Sequence, residues 1–140
     1  MKHAVKTLLV VFVALVPWLA QPAAAADEDP DAAAPRCVDL MRIDRVDIVD
    51  DQNLLFYMKD GTIYHNRMTH ACPGLRREGT FMYSVPMRRL CNVDLITVLE
   101  NHGFGFARGA SCGLGDFKPI SEEAASQMKE AAKKPAGRQR

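Results

Sequence analysis

Four cysteines, Cys37, Cys72, Cys91 and Cys112, follow an N-terminal segment built like an export signal, and that order constrains the fold more than any other feature of the chain. Thiols that reach an oxidising compartment pair, and small exported domains with thin cores depend on such cross-links. The export reading rests on order and length. Lys2, His3 and Lys6 give a positive start, residues 8–20 are apolar, and Ala24-Ala25-Ala26 before Asp27 supplies small residues for cleavage. The apolar run contains Pro17 and falls short of the roughly 20 residues that a bilayer-crossing helix needs. A signal peptide over residues 1–26 is therefore expected, with the mature chain periplasmic or secreted and without a membrane span. Lipidation is not expected, because Cys37 follows the charged Arg36 well beyond the apolar run.

Removing residues 1–26 takes Lys2 and Lys6 and no acid, so 18 basic against 17 acidic residues become 16 against 17. Such near-neutrality argues against a nucleic-acid partner, whose binder would normally show a clustered basic face. Residues 27–35, DEDPDAAAP, are acidic, Ala-rich and broken by prolines, the composition of a flexible linker. Residues 36–120 form one small domain. At residues 121–140, Ser121 can cap a short helix with Glu122 and Glu123 in its first turn and Pro135 beyond its end, followed by a basic tail. Its inward side, Ala124, Ala125, Met128, Ala131 and Ala132, is narrow and small, which predicts weak docking.

Within the domain the hydrophobic pattern has period two. Strand-like runs at residues 46–49, 54–59 and 62–68 are separated by Asp50-Asp51-Gln52-Asn53 and by Asp60-Gly61. Asp-Gly between two such runs signals a two-residue hairpin with positive φ at both turn positions. That turn would set Tyr57 opposite Tyr64 and Phe56 opposite His65, and the upstream turn would set Ile48 opposite Leu55. One face then carries Val46, Ile48, Leu55, Tyr57 and Tyr64, and the other Val49, Leu54, Phe56, Met58 and Ile63. Both faces are apolar, so the sheet must be covered on both sides or curled on itself. Further strands fit residues 80–85, 95–100 and 117–120, with one helical turn near residues 86–90. The expected fold is mainly β, a small antiparallel barrel or sandwich with two disulfides.

Zinc sites and thioredoxin-type redox sites use close pairs such as C-x-x-C, whereas the nearest cysteines here, Cys72 and Cys91, are separated by eighteen residues. Two structural disulfides remain, with three possible connectivities. The favoured pairing is Cys37 with Cys112, joining the opening and closing strands, and Cys72 with Cys91, clipping the connection that begins Pro73-Gly74. In the loop-entropy model these are worth about 4.5 and 3 kcal/mol.

The runs Arg36-Cys37, Val49-Asp50-Asp51 with Leu54-Leu55-Phe56, Cys72-Pro73-Gly74-Leu75-Arg76, Leu90-Cys91 before residues 94–98, and Gly109-Ala110-Ser111-Cys112-Gly113-Leu114-Gly115 give the chain a recognisable signature. In these it resembles a family of small exported bacterial proteins of unknown function. The resemblance implies an exported domain with four paired cysteines over residues 36 to about 119, and no catalytic residues.

Among chemical candidates, His65, Met68 and His70 offer imidazole and thioether ligands that suit copper, but on a strand His65 and His70 point to opposite faces. Asp44, Asp47, Asp50 and Asp51 lack the alternation and closing Glu of a calcium loop. Gly103, Gly105, Gly109, Gly113 and Gly115 precede no Lys-Ser or Lys-Thr pair and no helix start, so they suggest a connection between strands, with Phe104 and Phe106 packed or exposed for contact. Ser84 and Ser111 have no His-Asp support in their spacing. No cofactor is expected. The leading functional expectation is a non-enzymatic periplasmic binding or interaction module whose partner is an envelope protein or a small ligand. The alternatives are a periplasmic copper-binding protein using His65, Met68 and His70, and a small envelope hydrolase.

Overall fold

The computed structural model describes residues 34–133. The expected signal peptide, linker residues 27–33 and the basic end from Lys134 lie outside the described residues.

Among the described residues, nine strands, β1 (Cys37–Asp39), β2 (Ile43–Ile48), β3 (Asn53–Met58), β4 (Ile63–Arg67), β5 (Phe81–Tyr83), β6 (Arg89–Cys91), β7 (Leu95–Asn101), β8 (Phe106–Gly113) and β9 (Phe117–Ile120), form three antiparallel sheets. Their orders are β1-β6, β2-β3-β4-β9 and β5-β7-β8. No sheet among the described residues closes into a barrel. Of the two architectures expected, the molecule adopts the sandwich-like one. Leu54, Phe56 and Met58 of β3 share a core with Ile96 and Val98 of β7, Val38 of β1, Leu90 of β6 and Phe117 of β9. Phe117 lies at its centre, edge-on to Phe56 at 5.3 Å and to Tyr64 at 6.3 Å.

The Asp60-Gly61 turn forms where expected but with different geometry. Gly61 has φ +90°, whereas no residue other than glycine has positive φ among the described residues, so a turn needing positive φ at both positions is not made. Instead the Gly61 N–H donates to the Met58 carbonyl and the Met58 N–H to the Thr62 carbonyl, a three-residue loop ending in a left-handed glycine. The additional loop residue moves the pairing by one: Phe56 faces Tyr64, and Leu55 faces His65. The upstream turn is offset in the same way, with Ile48 opposite Leu54. A one-residue slip exchanges the faces of neighbouring strands. Val46, Ile48 and Tyr64 therefore join Leu54, Phe56 and Met58 on the sandwich side, while Leu55, Tyr57 and Ile63 share the opposite face.

That opposite face is covered by the C-terminal helix α2 (Glu122–Lys133). Ser121 caps it through its hydroxyl, which accepts from the Ala124 N–H at 3.2 Å. Ala125 is buried against Val49, Leu55 and Ile63, with Met128 and Ala132 packed alongside. Lys129 reaches Asp47 at 3.3 Å and the Arg76 guanidinium donates to the Ala132 carbonyl at 2.6 Å, so polar contacts supplement the narrow apolar contact. Two elements depart from expectation. Residues 86–90 form no helical turn but lead into β6, and the glycine-rich segment expected as a connection is the eight-residue strand β8. No helix among the described residues is long and apolar enough to cross a membrane.

Candidate functional site

The cysteines pair as Cys37–Cys91 and Cys72–Cys112, with no free thiol. This corrects the expected pairing of Cys37 with Cys112 and Cys72 with Cys91. Cys37 opens β1, and the partner of β1 is β6, so Cys91 lies directly across the ladder from Cys37. Cys112 lies on the core side of β8, where it meets the buried Cys72 just before the short helix α1 (Leu75–Glu78). A Cys37–Cys112 bridge would need β8 beside the opening strand, a position that β6 occupies.

The candidate copper ligands are not brought together. Met68 is buried in the sandwich core, and His70 is exposed in the loop that follows. His65 projects from the other face of β4, half-buried beside Arg67, Asp116 and Lys118, which line a cleft of about 280 Å³. No group of three or more His, Cys, Asp or Glu residues able to hold a metal ion occurs among the described residues.

The environment of His65 is nonetheless specific. The Asp50 carboxylate accepts from the Gln52 and Asn53 backbone N–H groups at 2.7 and 2.8 Å and from the Asn53 side-chain amide at 2.9 Å. A carboxylate only accepts, so the Asn53 NH2 faces Asp50 and its carbonyl oxygen faces His65 Nε2, 2.8 Å away. Nε2 must then carry the proton that it donates to Asn53, which leaves Nδ1 as the lone-pair nitrogen. Burial pushes the His65 pKa below the ordinary value of 6.5; Arg67 and Lys118 add to the effect and Asp50 opposes it. The result is a neutral imidazole held in one tautomer.

The acidic run has structural roles. Asp50 closes the β2–β3 turn, Asp51 accepts from the Arg76 N–H at the start of α1, and Asp47 pairs with Lys129. The Ser111 hydroxyl bonds to that of Thr97 at 2.8 Å rather than to a His or Asp side chain. Two residues that sequence reasoning left without a role form a reciprocal polar contact in the core. Buried Asn66 donates from its amide to the Gly115 carbonyl at 2.6 Å and accepts from the Gly115 N–H at 2.9 Å. Its only sequence signal is an amide in a strand position that the alternation assigns to the core.

The β7–β8 hairpin supplies the most accessible apolar surface. Phe104 is fully exposed at its tip between Gly103 and Gly105, whose φ values of +81° and +138° permit a tight reversal, and Phe106 is 64% exposed just below. Of the two states considered for these rings, the exposed one is found. The described residues thus contain an oriented imidazole whose cleft is lined by Arg67, Asp116 and Lys118, with no hydroxyl or thiol, and a projecting aromatic tip. No known family model, no curated protein and no solved structure matches the chain.

Proposed function

We propose that this chain is an exported, non-enzymatic interaction module that engages an envelope protein through the tip of the β7–β8 hairpin. The observation that carries this reading is Phe104. A phenyl ring fully in water on a glycine-flanked tip forgoes roughly 2 kcal/mol of burial, which an apolar pocket on a partner returns. Two disulfides without a free thiol support an oxidising compartment. The sandwich serves as a rigid mount, because β7 is fastened into the core by Ile96 and Val98 while its far end carries the tip.

The test is site-specific photo-cross-linking in the exporting cell, with a photoreactive phenylalanine analogue at position 104 and, as control, at Lys59 on the unrelated β3–β4 turn. A discrete adduct at 104 and not at 59, competed by excess wild-type protein but not by Phe104→Ser, is the expected result. Equal labelling from both positions, or none at 104, overturns the reading.

A further inference from the structure

We propose that two copies of this chain pair antiparallel along the outer edges of β8, making one continuous sheet of six strands. This goes beyond the hairpin-tip reading and rests on a different surface.

Exposed strand edges are ordinarily blocked against unwanted pairing by charges, proline, bulges or shortness. Three of the four edges of the two larger sheets follow that rule. β2 carries Asp44, Arg45 and Asp47 with a bulge at Asp44, β9 carries Lys118 and Pro119, and β5 has three residues. β8 breaks it. It is eight residues long, has no proline, and bears a single charge, Arg108, which makes no ion pair among the described residues.

The backbone of that edge fits one partner in particular. His102 and Gly105 form a hydrogen-bonded pair at the hairpin end, and Leu114 donates to the Asp94 carbonyl at the other. Bonded and non-bonded pairs alternate along an antiparallel ladder, so Phe106, Arg108, Ser111 and Gly113 turn their N–H and C=O groups outward. The spacing is irregular, because β8 places Gly109 and Ala110 opposite the single Val98, and two residues rather than one lie between Arg108 and Ser111. A regular strand in step with Phe106 and Arg108 is out of step with Ser111 and Gly113. A second copy carries the same extra residue.

With a two-fold axis between Gly109 and Ala110, Arg108 faces Ser111 and Phe106 faces Gly113, and every outward group meets a counterpart, as an isologous contact requires. The side chains agree. Phe106, Arg108, Ser111 and Gly113 share the outer face with Leu95 and Thr97, their ladder neighbours. Gly113 leaves space, and the exposed Leu95 reaches within 3.9 Å of where its Cβ would be. The second copy's Phe106 would lie over that glycine against Leu95, once at each end of the contact. The two Arg108 side chains face serines rather than each other.

Sedimentation equilibrium and concentration-dependent amide exchange on the full oxidised chain test the proposal. The expected mass is that of two chains. The amides of Phe106, Arg108, Ser111 and Gly113 should gain protection as concentration rises, while those of Ala107 and Cys112, already bonded to β7, should not change. Arg108→Pro removes an outward N–H without breaking a bond to β7, and Phe106→Glu places a charge over the Gly113–Leu95 site; each should halve the mass. Phe104→Ser, outside the pairing, should leave two chains. Wild-type protein that stays at the mass of one chain at every concentration, or a dimer that survives both Arg108→Pro and Phe106→Glu, overturns the proposal.

Discussion

Replacing Gly115 by alanine should cost more than any other single-methyl addition to the strands around it, for reasons unrelated to φ. A Cβ at position 115 would lie 1.9 Å from the Arg67 carbonyl oxygen and 2.9 Å from its carbon. Real Cβ contacts do not fall below 3.0 Å, so backbone must move by about 1.1 Å against the end of β4. The same glycine holds both bonds to the Asn66 amide, and a shift of that size directed along them opens both beyond hydrogen-bond range. Overpacking costs about 1–3 kcal/mol, and leaving the buried amide unmatched costs about 1–3 kcal/mol more. A total near 4 kcal/mol is a large share of the 5–15 kcal/mol or so that holds such a domain folded.

Urea unfolding with both disulfides intact gives the comparison. Gly113→Ala, whose Cβ meets nothing nearer than Leu95 at 3.9 Å, is the control and, at protein concentrations low enough to keep the chain monomeric, should change stability by no more than about 0.5 kcal/mol. Asn66→Ala alone should cost about 1–3 kcal/mol. Combined with Gly115→Ala it should cost less than the sum of the two, because both changes break the same pair of bonds. A loss below about 1 kcal/mol for Gly115→Ala, or one equal to that of Gly113→Ala, would refute the steric argument.

Proteolysis of the unreduced protein should release Cys37 peptides linked to Cys91 and Cys72 peptides linked to Cys112; with sequence separations of 54 and 40, each bridge should contribute about 4 kcal/mol by loop entropy, measured as the loss on replacing either pair by serine. A Cys37–Cys112 peptide would contradict the observed ladder. For His65 the folded pKa lies below 6.5. Below pH 6.5 the unfolded chain therefore binds the proton more readily, and the stability present above that value is lost as pH falls through the folded pKa. His65→Gln keeps an N–H donor for Asn53 and should flatten this part of the pH profile relative to wild type. Identical profiles, or an imidazole NMR titration at or above 6.5, would contradict the desolvated, cation-flanked setting of the ring.

Much of the secondary structure was legible because its signals are local. The Asp60-Gly61 turn, the strands on either side, β7, β9 and the Ser121 cap all follow from a few adjacent residues. β8 was not legible because glycine and alanine at 109, 110 and 113 dilute the alternation that marks a strand; its pairing with β7 makes it one. The candidate site was less legible still. His65 stood out by residue type, but the partners that orient it, Asn53 and Asp50, come from a turn twelve and more residues away and carry no motif. Met68 suggested a ligand because it sits between two histidines, yet just past the end of β4 it continues that strand's alternation into the core.

Residue order alone determined that this chain builds sheets with two covered faces, because Leu54, Phe56 and Met58 alternate with Leu55 and Tyr57 along one strand, and both sets must leave water. It also determined that four widely spaced cysteines would staple the domain. Only the tertiary structure decided which cysteines meet, which way the two faces turn, and which strands end each sheet. Those outcomes depend on the dihedral angles of single turn residues and on contacts between segments 40 or more residues apart. A period-two pattern reads the same on either side of a one-residue slip. The choice falls to Asp60, which keeps negative φ and so lengthens its loop by one residue.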